Sequence, residues 1–133
     1  MRDIVWRLYF VTGDLLACTL TGAAAAWLAH AMVSADWFVA LGILAGTALG
    51  MLAGVIGGFL FTPLFGAIEV MLPTSLSAMV AGMGAGMAQT MSIDGIIWSE
   101  ALLGGALAGL VCLAYTYLLQ AKLHGEVKRR ELN

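Results

Sequence analysis

The chain has 133 residues, of which 62% are apolar and 11% charged, with a formal net charge of −2. Soluble domains carry roughly a quarter charged residues, so this composition excludes one and indicates an integral membrane protein, for which no nucleic-acid partner is expected. All six basic residues stand at the ends, Arg2 and Arg7 at the start and Lys122, Lys128, Arg129 and Arg130 at the finish.

Lys and Arg near the ends of spans report orientation. Both termini are therefore expected in the cytoplasm, with the chain in the bacterial inner membrane and an even number of spans. The first segment runs from about Leu8 to about Val33, longer than the roughly 20 residues a helix needs to cross the hydrocarbon. Trp6 and Tyr9 mark one interface and Trp37 the other, as an aromatic belt does. Arg2, Arg7 and Leu15-Leu16-Ala17-Cys18 also look like a lipoprotein signal, but Asp14 interrupts the apolar run such a signal needs. A first span is expected, not a leader. Thr19, Gly22, Ala23 and Ala26 give it a smooth face.

Val33 to Asp36 is a short outer turn, with Ser34 and Asp36 placed to cap a following helix. Segment two, from about Trp37 to about Phe61, carries Gly42, Gly46, Gly50, Gly54 and Gly58 at every fourth position. In lipid, apolar side chains gain little by leaving the solvent, so close backbone approach through small residues drives helix association. This glycine ladder is expected to pack helix 2 against helix 3. Residues 62–72 lie between Pro63 and Pro73 and admit two placements. One is a short interfacial or re-entrant helix with segment three beginning at Pro73, which is preferred because Pro73 to about Ser92 already suffices to span. The other starts segment three at Leu64, kinks it at Pro73 and draws Glu69 into the membrane.

Within segment three, Met79, Met83, Met87 and Met91 recur at every fourth position. Such residues stack along one side of a helix, with a drift of roughly 40° per step that winds the row gently around the axis. Ile93 to Glu100 has the character of a second outer loop, with Asp94 and Glu100 acidic and Trp98 an interface anchor. Segment four runs from about Ser99 to about Ala121, with Gly104, Gly105, Ala108 and Gly109 forming a smooth patch. Residues 1–121 thus make a single four-helix transmembrane domain, and 122–133 a charged, partly helical cytoplasmic tail whose basic cluster could touch anionic lipid.

Thioether sulfur is a soft, neutral donor suited to Cu(I), and M-x-x-x-M puts two of them on one helical face within reach of one ion. Met79, Met83, Met87 and Met91 are therefore candidate Cu(I) ligands. The row resembles the M-x-x-x-M element in the pore helix of Ctr-type copper transporters, which also carry G-x-x-x-G packing motifs. The likeness is confined to these motifs: that family is a three-span one with a Met-rich extracellular tail, and this chain has neither feature. The alternative is that these methionines are flexible packing residues filling gaps beside glycines.

Cys18, Cys112 and Met83 each stand about ten residues, or roughly 15 Å, from their own cytoplasmic edge and could form a soft-metal site if their faces converge. Lone buried thiols are otherwise small hydrophobes. Asp14 and Glu69 are candidates for a proton or ion site, since ionisable groups at membrane depth usually face a bundle interior or water. Asp14 could instead snorkel or pair with Arg7, and Glu69 could be a solvated loop residue. His30 lies at the outer edge and His124 in the tail, which rules out a facing pair for haem. With no nucleophile elbow, phosphate loop, H-E-x-x-H or paired-Cys motif, no enzyme site is expected.

The sequence thus predicts an all-α membrane bundle of four transmembrane helices that self-associates or docks onto another membrane subunit. Its expected function is Cu(I) binding or conduction. The alternatives are a structural or assembly subunit, or a proton- or ion-linked channel using Asp14 and Glu69.

Overall fold

In the computed structural model the chain forms four α-helices: α1 (Arg2–Met32), α2 (Val39–Phe65), α3 (Ala67–Met91) and α4 (Trp98–Glu131). The structure describes residues 2–65 and 67–131, with side chains for 4–63 and 71–123. Three of the helices, over Ile4–Met32, Val39–Pro63 and Trp98–Leu123, are long and apolar enough to cross a membrane. The fourth, α3, is diluted by Thr74, Ser75, Ser77, Gln89 and Thr90. Both α1 and α3 pack against all three other helices, whereas among the described residues α2 and α4 do not touch each other, so α1 and α3 form the short diagonal of the bundle.

The bundle is built with small side chains inside and large ones outside. Its buried core consists of alanines such as Ala25, Ala26, Ala29, Ala78 and Ala81, and the largest fully buried side chains are only Thr74, Cys18 and Ser77. Phe38, Leu44, Phe59, Leu103 and Val111 point outward with two-thirds or more of their surface uncovered. In water this arrangement would leave most of the apolar area exposed; in lipid it costs nothing, and close contact between backbones takes over as the cohesive term.

The most extensive contact lies between α2 and α3. A Cβ on Gly46 would collide with the Gly82 carbonyl oxygen, one on Gly86 with that of Gly42, and one on Gly50 with that of Ala78. Further along, a Cβ on Gly54 would come 2.8 Å from Ser75 Cα, and one on Gly58 3.3 Å from Met71 Cγ. A second seam joins α1 to α4, where Gly22 and Gly105 face each other and Gly109 sits on the Cys18 carbonyl. In each seam the residue numbers rise on one helix as they fall on the other, so both pairs are antiparallel.

Hydroxyl groups inside this apolar bundle are satisfied locally. Thr12, Thr19, Thr21, Thr47, Thr62 and Thr116 each donate to the carbonyl four residues earlier, and among the described residues no buried side-chain nitrogen or oxygen lacks a partner. Pro73 lies inside α3, which is continuous from Ala67. Residues 67–72 therefore belong to the same helix as the methionines and do not form a separate element ending at Pro73, while Leu64, where the other placement began segment three, belongs to α2. The ring of Pro73 is buried. The side chain of Glu69 lies outside the described residues. At the far end, Gly95 closes the α3–α4 loop with φ 74°, a left-handed conformation that glycine adopts without strain. Glu100 Oε2 then accepts the Ile97 N–H at 3.3 Å and caps the start of α4.

Candidate functional site

The four-residue methionine row and the four-residue glycine and alanine row occupy different sides of α3. Ala78, Gly82 and Gly86 are pressed against α2. Met79 is partly buried at the α2 flank, where its Cα is among the atoms a Gly50 side chain would meet. From there the row turns outward: Met83, Met87 and Met91 are 41%, 43% and 62% exposed, as a drift of roughly 40° per step carries them away from α2. Gly84, beside them, has nothing within 4 Å of where its side chain would be. Within one chain Met83, Met87 and Met91 thus stand clear of the α2 seam, and Met79 alone of the row lies beside it.

Cys18 is fully buried where α1, α3 and α4 meet. Its carbonyl accepts a hydrogen bond from Ser77 Oγ at 2.9 Å, and the same hydroxyl oxygen lies 3.0–3.1 Å from where side chains on Gly109 and Gly22 would sit. Ser77 is thus the polar pin of a three-helix junction. Cys112 is half-buried on α4, and both it and Asp14 lie within electrostatic range of Cys18. Met83 lies elsewhere. Six residues on from Ser77, it stands roughly 120° around the helix from the residue that touches Cys18, on the exposed face. The thioether therefore stands apart from the Cys18 junction. Among the described residues no group of three or more His, Cys, Asp or Glu side chains is arranged to hold a metal ion.

Asp14 has a defined setting. Its Oδ2 accepts a hydrogen bond from the Tyr117 hydroxyl at 2.7 Å, tying α1 to α4. Both border a cavity of about 310 Å³ that Arg7, Thr116 and Gln120 also line, with Pro73 as part of the wall. Phe10, Val11 and Leu113 complete the wall, so the carboxylate borders a recess of mixed polar and apolar lining at the end of the bundle where α1 begins. Trp6, Tyr9 and Phe10 cluster on the same turns of α1, with ring centroids 5.8–6.5 Å apart.

At the opposite end His30 meets Gln89. Gln89 Oε1 accepts the Ile96 N–H at 3.0 Å and stands 3.2 Å from His30 Nδ1. This side chain ties α1, the end of α3 and the outer loop together. Sequence reasoning passed over Ser77, Gln89 and Tyr117. The signal that could have found Ser77 and Gln89 is their being hydrogen-bonding side chains in the midst of a small-residue run, since such groups must find partners once buried.

A wide groove of about 320 Å³ separates α3 from α4 on the outer half, walled by Gly84, Ala85, Ala88, Gly104 and Ala108 with Glu100 at its rim. Comparison of the chain with protein-family models, with curated proteins and with solved structures gives no match.

Proposed function

We propose that this chain is a non-catalytic membrane protein that works as an assembly subunit. All four helices span the membrane, both termini are cytoplasmic, and the α2 and α3 glycines form the packing seam. The outward face of α3 is the working surface, and it mates in the bilayer with α3 of a second copy. One observation carries this reading: Met83, Met87 and Met91 project along one line away from α2 while Gly82 and Gly86 are taken up by it. Methionine adapts to irregular neighbours, and the open Gly84 beside the row lets another backbone approach.

The same line favours a second reading, Cu(I) binding. In a symmetric assembly with α3 near the axis, the thioethers of several copies form stacked sets of soft neutral donors, the ligand type that selects Cu(I). One chain by itself supplies no such enclosure, so this reading depends on the first.

The test is disulfide cross-linking in native membranes on a Cys18→Ala/Cys112→Ala background. Gly84→Cys is expected to cross-link strongly and Leu52→Cys, exposed on α2, weakly; equal cross-linking from both sites would rule out the α3 interface. Purified wild type is then titrated with Ag(I) as a Cu(I) surrogate. Stoichiometric binding that Met83→Leu/Met87→Leu abolishes supports the metal reading, and binding that survives the double substitution removes it.

A further inference from the structure

The recess around Asp14 does not end at the polar side chains. Pro73, Thr116 and Gln120 line both this cavity of about 310 Å³ and a neighbouring one of about 350 Å³. The second runs between α3 and α4 along Leu72, Leu76, Leu119 and Leu123 and is apolar. A chamber with charged, polar and apolar walls thus adjoins an apolar groove, the two sharing three wall residues. The chamber combines one carboxylate, Asp14, and one guanidinium, Arg7. The exposed Trp6 and Tyr9 beside it are the residue types that mark the headgroup level of a bilayer.

From this arrangement we infer that the two cavities form one site for a glycerophospholipid with a primary-amine headgroup, of the phosphatidylethanolamine class. The ammonium sits against Asp14, the phosphate against Arg7, and an acyl chain lies in the leucine-lined groove. A bare cation is disfavoured by the guanidinium, and a purely anionic headgroup by the carboxylate. A zwitterion offers a partner to each charge. Between zwitterions, a primary ammonium donates hydrogen bonds to Asp14, whereas a trimethylammonium has no donor. The apolar groove makes the ligand a lipid and not a free phosphoamine, because it adds apolar contact only for a molecule carrying a chain.

The experiment is native mass spectrometry of the full chain in detergent, with dioleoyl phosphatidylethanolamine, phosphatidylcholine and phosphatidylglycerol compared at equal concentration. Wild type should retain the ethanolamine lipid preferentially. Asp14→Asn, which keeps the side-chain shape, should lower that binding about tenfold, the loss of one charge-assisted hydrogen bond, and leave the choline lipid unchanged. Arg7→Gln should lower all three lipids alike, because each carries the phosphate. Leu76→Trp/Leu119→Trp, which fills the groove, should do the same. Leu44→Ala, on the outward face of α2 and away from both cavities, should retain the preference, and Asp14→Asn should keep the helical circular dichroism of wild type in the same detergent, which checks that its loss of binding is not a loss of fold. No ethanolamine preference in wild type overturns the inference, and so does a preference unchanged by Asp14→Asn.

Discussion

The two sides of α3 share one helix and one four-residue period yet are used in opposite ways. On one side Ala78, Gly82 and Gly86 meet α2 so closely that side chains on Gly82 and Gly86 would collide with backbone. On the other, Met83, Met87 and Met91 stand clear of the bundle and Gly84 has nothing opposite it. A period of four places residues in a row but does not say what the row faces. Residue size separates the two cases here: where the side chain is a hydrogen or a methyl the backbones close, and where it is long they do not. Gly84 and Gly104 show that a glycine alone is insufficient, since each lies open at the groove between α3 and α4.

The strongest way to break the contrast is to give the closed side a side chain. Gly46→Leu or Gly82→Leu sets new atoms against a partner carbonyl that cannot move aside, and a loss of about 3 kcal/mol in unfolding free energy is expected, read by SDS titration in mixed micelles. Gly84→Leu is the matched control and should shift the same curve by no more than about 0.5 kcal/mol. If both substitutions cost the same, the two sides of α3 do not differ as described.

A smaller effect is expected where α3 is tied at its outer end. Gln89→Leu leaves the Ile96 N–H and His30 without their shared acceptor, at a cost of about 1–3 kcal/mol. Hydrogen exchange at Ile96 should rise with it. Smaller again is Ser77→Ala, which deletes the hydrogen bond to Cys18. Buried hydrogen bonds between membrane helices average about 0.6 kcal/mol, so a loss of that order is expected from the same SDS titration. Ser77→Val should cost more than Ser77→Ala, because its extra methyl groups enter the space beside Gly22 and Gly109. The smallest change in stability, within about 0.5 kcal/mol, is expected from Met83→Leu/Met87→Leu. An unfolding cost well above that would mean the thioethers hold the single chain together and are not a surface for something outside it.

Much of the helix layout is legible in the chain. The apolar runs, the aromatic and charged ends and the short turns mark the positions of α1, α2 and α4, because burial in lipid demands an unbroken stretch of apolar residues. The start of α3 was not legible in the same way. Pro73 reads as a beginning, yet α3 runs through it from Ala67, because a proline inside a helix is tolerated where neighbouring helices and hydroxyl groups re-satisfy the backbone groups it frees. Thr74 and Ser75 donate to the carbonyls of Met71 and Leu72 in that same turn.

The candidate site was legible by residue type and not by partner. Asp14 stands out as a charge in an apolar run, but its hydrogen bond reaches Tyr117, 103 residues away, and only the antiparallel pairing of α1 with α4 brings the two together. Likewise Cys18, Cys112 and Met83 share a nominal depth, while rotation about the helix axis separates the thioether from the thiols. Depth follows from counting residues along one helix; facing depends on which neighbour each helix selects.

What the amino-acid order determined by itself is the class of protein and its periodic rows: an apolar chain with basic ends, glycines and methionines at every fourth position, and small residues where helices must meet. These follow from local periodicity and from the cost of polar groups in hydrocarbon. The tertiary structure alone decided that the glycine row closes on α3, that Met83, Met87 and Met91 are left outside, and that Asp14 meets Tyr117 at the edge of a recess. Each depends on the rotation and register of one helix against another, which are set by the fit of whole surfaces and are not encoded in any single segment.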